Sequence, residues 1–176
     1  MSVILWYDVE TSGLNLKQHK ILSFSYIITK DNEILEKDTY FINHDEILIT
    51  KGAYNVNKIP LEALFTSEYT EIALIDKIKE LIDKYGVDTY AGYNIYKFDF
   101  EFIKDLFRRY DQNINQLKPR KLLDVYLIVK EKKLHTFNNK LETICEHFNI
   151  PIDAHKSESD IMATYEVYKK LGDLIG

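Results

Sequence analysis

The chain has 176 residues, 45% of them apolar and 29% charged, a composition that gives one globular domain with a sizeable core and excludes a disordered chain. No apolar run nears the roughly 18 residues a membrane span needs, no basic-then-apolar leader opens the chain, and a lone Cys145 excludes an internal disulfide or a cysteine zinc site, so a reducing intracellular compartment and no membrane partner are expected. The net charge of −5 is unevenly spread: Lys97 to Lys140 holds 11 Lys or Arg against 6 Asp or Glu, and the remainder 12 against 22, which suits a phosphate-binding face and equally suits solvated helix surfaces.

The first predicted element is a strand. Val3 to Tyr7 is an unbroken apolar and aromatic run, the pattern of a strand buried on both faces. Asp8 and Glu10 follow at alternate positions. Residues two apart on a strand share a face, so both carboxylates project together from its end. Ile21 to Thr29 and Ile34 to Ile42 read as further strands, the second more exposed, giving an antiparallel meander. Asn43 to Leu64 shows no clear period and reads as a loop with a helical turn. A helix is expected from Ser67, as N-cap, to Gly86 near the C-cap, with Ile72, Leu74, Ile75, Ile78, Leu81 and Ile82 at helical spacing.

Val87 to Asn94 reads as a fourth strand leading into a helix from Phe98 to Tyr110, with Asp99 in its first turn. Lys121 to Asp124 is a short strand candidate before a helix over Val125 to Lys132. Asn138 or Asn139 is a candidate cap for a helix that ends near Phe148, before Pro151, and carries Cys145 on its apolar stripe. A loop with Asp153, His155 and Lys156 precedes a last helix that starts around Ser157 and holds Asp160 in its first turn. Strands and helices in this order give an α/β fold, a mixed sheet with helices on its faces, in a single domain over residues 1–176 without repeat or linker.

The acids now form a set: Asp8 and Glu10 at a strand end, Asp99 and Asp160 at two helix starts, with His155 five residues before Asp160. An acid in a first helical turn has a sufficient reason in the helix dipole. Paired carboxylates at the end of a buried strand have no such reason, because charge repulsion and desolvation both oppose them. Hard divalent cations such as Mg²⁺ or Mn²⁺ favour carboxylate oxygens, so three converging segments would make a cation site.

The combination resembles the DnaQ-like, or DEDDh, family of 3′–5′ exonucleases. Asp8-Val9-Glu10-Thr11-Ser12-Gly13 is similar to its D-x-E-T-x-G motif, Asn94 to Ile103 to its second motif, and His155 to Asp160 to its third, in the same order along nearly the whole chain. Leu123-Asp124-Val125 resembles the Asp-Thr-Leu found before the third motif. Two departures stand out: three residues separate Asn94 from Phe98-Asp99 where many members have two, and Tyr93 replaces the usual His before the Asn.

The resemblance implies a ribonuclease-H-like fold, a mixed five-stranded sheet with its second strand antiparallel and helices on both faces. It implies two divalent ions, Mg²⁺ or Mn²⁺, held by Asp8, Glu10, Asp99 and Asp160, with His155 as general base, and release of nucleoside 5′-monophosphates from a single-stranded 3′ end. DNA is favoured over RNA as substrate, with an exoribonuclease and a non-catalytic binding module of the same fold as the alternatives. Thr11, Leu14, Tyr54, Asn94 and Phe98 are the candidate substrate contacts, and Lys97, Arg108, Arg109, Lys118, Arg120 and Lys121 could track phosphates. A polymerase or other replication or repair protein is the implied partner class, and oligomeric state stays open.

Overall fold

Strand β1 (Val3–Thr11) is the middle of a five-stranded sheet in a computed structural model that describes residues 2–117 and 119–173. Lys118, one of the phosphate candidates, lies outside the described residues. Strands β2 (Ile21–Lys30) and β3 (Glu33–Phe41) continue the sheet on one side as an antiparallel meander. The next elements are helices α1 (Lys51–Asn57), α2 (Leu61–Phe65) and α3 (Glu71–Tyr85). Strand β4 (Thr89–Gly92) pairs parallel with β1 on its other edge and is followed by α4 (Asp99–Arg109). Strand β5 (Lys121–Asp124) pairs parallel with β4 and leads into α5 (Val125–Lys132), α6 (Leu141–Phe148) and α7 (Ser157–Asp173). The strand order is therefore β3-β2-β1-β4-β5, mixed, with β2 antiparallel to β1 as expected.

Period-two alternation sends the central strands' side chains to two cores. Leu5, Tyr7, Val9, Phe24 and Tyr26 pack beneath α3 and α4. Trp6, Ile27 and Ala91 pack beneath α5, α6 and α7. The Trp6 indole N–H, fully buried, donates to the Thr29 hydroxyl at 2.9 Å. Cys145 is buried in the second core, and burial pushes its thiol up to about 12, as befits a packing residue. No helix among the described residues is long and apolar enough to cross a membrane.

Three expectations are corrected. The aperiodic stretch before α3 holds two short helices, the first capped by Thr50, whose hydroxyl accepts from Ala53 N–H at 3.1 Å. Helix α3 begins after Thr70 rather than Ser67. The Ser67 hydroxyl is already used: it donates to Phe41 C=O and accepts from Tyr69 N–H. Helix α6 likewise starts after Lys140, because Asn138 spends its side-chain oxygen on Lys140 N–H and the Thr143 hydroxyl.

Candidate active site

The site exists because β1 outruns its neighbour. Strand β4 pairs with β1 only from Ile4 to Trp6 and ends at Gly92. Beyond that point the β4-side edge of β1 has no strand to pair with. Asp99 fills the gap: its carboxylate accepts from Val9 N–H at 3.0 Å, satisfying a backbone donor that the sheet leaves open. The approach is tight at Gly92, where a Cβ would lie 2.9 Å from Tyr7 C=O.

Asp8 and Glu10 stand opposite Ser25 and Ser23 of β2, on the face covered by α7. A bulge between Glu10 and Thr11 ends the regular ladder there. Ser157, the first residue of α7, sets its hydroxyl 2.7 Å from Ser25 Oγ and 3.2 Å from Ser23 Oγ. This anchor brings the first turn of α7, and Asp160 in it, over the two β1 carboxylates. One carboxylate oxygen from each of Asp8, Glu10 and Asp160 lies within 4.8 Å of the others. Asp99 lies outside that triplet, yet its charge bears on Asp8 and Glu10.

Four carboxylates at one strand end resist ionisation together. Burial raises Asp8 well above the usual carboxylate range, and the charges of Asp99, Glu10 and Asp160 push it further. Burial, then Asp160 and Asp99, raises Glu10 to about 8. Burial raises Asp99 to about 7 against the opposing hydrogen bond from Val9. Burial raises Asp160 to about 6, opposed by the N–H and charge of His155. Asp160 Oδ1 is buried and has no hydrogen-bond partner. An acceptor-only cluster with an orphaned oxygen, no basic partner within the triplet and strained protonation fits a hard divalent cation.

His155 sits where the third motif places it. Its backbone is left-handed, with φ 67°, and its N–H donates to Asp160 Oδ2 at 3.1 Å. The ring is half exposed, with Nε2 3.6 Å from a Glu142 carboxylate oxygen. Asn94, also left-handed at φ 61°, donates its N–H to Asp124 at 2.9 Å. Leu14 and Tyr54 are exposed beside the end of β1. Helix α1 is tied to that end by Asn57 Nδ2 donating to Thr11 C=O and Thr50 N–H donating to Ser12 C=O. The Thr11 hydroxyl is buried and donates to Gly13 C=O, so it holds the turn. Phe98 is half-buried, its ring 5.0 Å from that of Phe102.

Asp124 is the residue whose work the sequence left unassigned. It is buried, and its carboxylate accepts from Asn94, Tyr96 and Tyr126 N–H groups, fixing the β4–α4 turn and capping α5 together. Its signal was the Leu-Asp-Val run at a strand–helix junction. Several basic candidates fall elsewhere. Arg109 binds Glu71 and Asp105 at the far end of α4, and Arg108 shares that end. Arg120 and Lys121 lie at the start of β5, opposite the end of the sheet that carries the acids. Of the described candidates, Lys97 is the one in the loop that leads directly into Asp99.

A mixed sheet of this order, with acids at the end of its central strand and on two helix starts, has the ribonuclease-H-like fold. The family model RNase_T, described as Exonuclease, matches residues 5–168. The chain belongs to this exonuclease family, within the DnaQ-like group. It is 26% identical over 165 residues to the PolC-type DNA polymerase III of Mycoplasma genitalium, a match that covers 92% of the chain and 11% of the polymerase. Its fold is similar to Escherichia coli exonuclease I in complex with a dT13 oligonucleotide, with TM-score 0.83 and 20% identity, over 97% of this chain and 41% of that one. Exonuclease I from Methylocaldum szegediense is comparable, with TM-score 0.79 and 20% identity over 98% of this chain and 41% of that one. The chain thus spans about two fifths of those nucleases and about a tenth of the polymerase.

Proposed function

We propose that the chain is a metal-dependent 3′–5′ exonuclease that removes nucleoside 5′-monophosphates from single-stranded DNA. The observation that carries this reading is the meeting of Asp8, Glu10 and Asp160 within 4.8 Å, with Asp99 at the adjoining edge and Asp160 Oδ1 unpartnered. Family membership supports the reaction class. The oligonucleotide complex of the exonuclease I neighbour and the polymerase relative favour DNA.

Asp8, Glu10 and Asp160 would hold one divalent ion, and Asp8 with Asp99 a second. Two such ions, Mg²⁺ or Mn²⁺, would supply water activation and charge neutralisation at a phosphodiester. His155 takes a proton from the attacking water at a ring nitrogen. The water oxygen bonds to phosphorus, the P–O3′ bond to the preceding nucleotide breaks, and that O3′ takes up a proton from solvent to become the new 3′ hydroxyl. Leu14 and Tyr54 flank the terminal nucleotide as apolar walls. Asn94, placed by Asp124, lines the approach, and Phe98 supports the turn that carries Asp99.

The test is digestion of 5′-labelled oligonucleotides with Mg²⁺ or Mn²⁺ against chelator, in parallel DNA and RNA series, with Asp8→Ala to exclude contamination. A descending ladder that needs metal and is lost in Asp8→Ala is expected, faster on DNA. Absence of any metal-dependent ladder overturns the enzyme reading. Faster digestion of the RNA series assigns the site to an exoribonuclease.

A further inference from the structure

The loop between α5 and α6 carries a feature that the site does not use. Phe137 is 98% exposed, more than any other large apolar side chain described. Yet its loop is firmly built. Thr136 N–H donates to Leu134 C=O and its hydroxyl to Asn138 C=O, each at 2.9 Å. Asn138 Oδ1 accepts from Lys140 N–H and the Thr143 hydroxyl at 2.8 Å, and the Tyr93 hydroxyl donates to Asn139 C=O at 2.7 Å. Fixing a loop so that it presents a whole phenyl ring to water has no folding benefit, because burial of that ring would be favourable.

Beside this loop runs a groove of about 730 Å³, lined among others by Asn94, Lys97, Tyr126, Asn138, Lys140 and Glu142. Two of its lining residues lead to the proposed active site: Asn94 lies in the turn before Asp99, and the Glu142 carboxylate is 3.6 Å from His155 Nε2. The segment Lys130 to Lys140 holds four lysines and one glutamate. An aromatic face set among lysines and amides is the chemistry that binds single-stranded nucleic acid without reading its sequence: the ring stacks on a base and the ammonium groups meet phosphates.

We propose that this groove and loop form a second docking site for the single strand, on the 5′ side of the scissile nucleotide, with Phe137 stacking on a base and Lys97 and Lys140 on its phosphates. The inference rests on the exonuclease reading. The site gives the chain a preference for strands long enough to reach Phe137 and a marked salt dependence of binding. Very short substrates, engaging only the acid cluster and its apolar walls, lie outside its reach.

The experiment compares the full chain with Phe137→Ala, Phe137→Trp and the Lys97→Ala/Lys140→Ala pair. Rates are read on a dinucleotide and on a 12-residue oligothymidylate with Mn²⁺, and affinity for the labelled 12-mer by fluorescence anisotropy in chelator. Phe137→Ala is expected to lower the 12-mer to dinucleotide ratio of kcat/KM about tenfold and to weaken 12-mer binding by a similar factor. Phe137→Trp restores both, and the lysine pair flattens the salt dependence. An unchanged ratio with unchanged affinity overturns the proposal and leaves the exposed ring to a protein partner. If the wild type cleaves neither substrate, the exonuclease reading fails by itself, and the anisotropy arm still decides whether the strand binds at Phe137.

Discussion

The hydroxyl of Ser157 lies 2.7 Å from the hydroxyl of Ser25, which stands directly across the sheet from Asp8. Through this contact the start of α7 is keyed to the register of β1 and β2, and Asp160 is carried to the carboxylates of β1. Ser25 also lies 2.7 Å from the Thr39 hydroxyl, so its substitution disturbs a short polar chain rather than one bond. Ser25→Ala is expected to cost about 1–2 kcal/mol of stability and to weaken divalent-ion affinity. Urea melts and calorimetric titration with Mn²⁺ measure the two effects. Unchanged metal affinity in a destabilised variant would show that α7 is positioned without this anchor.

The raised carboxylate pKa values make stability depend on pH in a defined sense. Glu10, Asp99 and Asp160 rise from ordinary carboxylate values to about 8, 7 and 6. Between about pH 4 and 8 the native chain therefore holds protons at this cluster that the unfolded chain has released. Stability contributed by the cluster is full below the unfolded values and is lost as pH rises through the native ones. Each pKa unit carries about 1.4 kcal/mol, and each kcal/mol moves Tm by about 2–4 °C in a chain of this size. In chelator, Tm is expected to fall by about 5 °C or more from pH 5 to pH 8, and Glu10→Gln to lessen the fall. Added Mn²⁺ raises Tm more at pH 8 than at pH 5. Equal slopes in wild type and Glu10→Gln would contradict the electrostatic account.

His155 holds two separate positions in the site. Its backbone N–H supports Asp160, and its half-exposed ring, with Nε2 3.6 Å from a Glu142 carboxylate oxygen, is the group proposed to take the proton. The left-handed φ of 67° is tolerated better by Asn than by Ala, so His155→Asn is the cleaner substitution. It is expected to lower single-turnover cleavage about 100-fold or more while leaving Mn²⁺ affinity near that of wild type. A variant that keeps full activity at neutral pH removes the general-base role.

The acids were legible in the sequence because strand alternation and helix starts fix where Asp8, Glu10, Asp99 and Asp160 point, with few folds open to a chain of this order. What escaped was tertiary accounting. Ser67 looks like a cap until Phe41 C=O claims its hydroxyl. Arg109 looks like a phosphate ligand until Glu71 pairs with it. Each depends on a partner far along the chain, which local periodicity does not encode.

Asp124 shows the same point as a prediction. Its buried carboxylate collects three backbone N–H groups, two from the turn before Asp99 and one at the start of α5. Hydrogen bonds to a charged acceptor contribute about 1.5–3 kcal/mol each, and losing the acceptor leaves the donors stranded. Asp124→Ala is expected to destabilise the chain by about 3 kcal/mol or more, with Asp124→Asn intermediate because one oxygen is kept. Activity falls with the turn, since Asp99 is aimed by it. Denaturant melts beside rate assays on the two variants check the ordering.

Gly13 closes the first motif for a steric reason. A Cβ there would lie 2.6 Å from three atoms of the His19 ring, and that ring is held in place because Asn15 N–H donates to His19 Nδ1 at 2.9 Å. Gly13→Ala therefore must displace the ring, break that hydrogen bond and shift the turn that presents Leu14. The expected cost is about 1–3 kcal/mol, with KM raised more than kcat is lowered if Leu14 flanks the terminal nucleotide as proposed. His19→Ala alone loses the hydrogen bond, but in the double variant it opens the space that the new methyl group needs. The Gly13→Ala/His19→Ala cycle is thus expected to show a favourable coupling of about 1 kcal/mol. Strict additivity in denaturant melts would mean that Gly13 is required for its backbone and not for the ring packed against it.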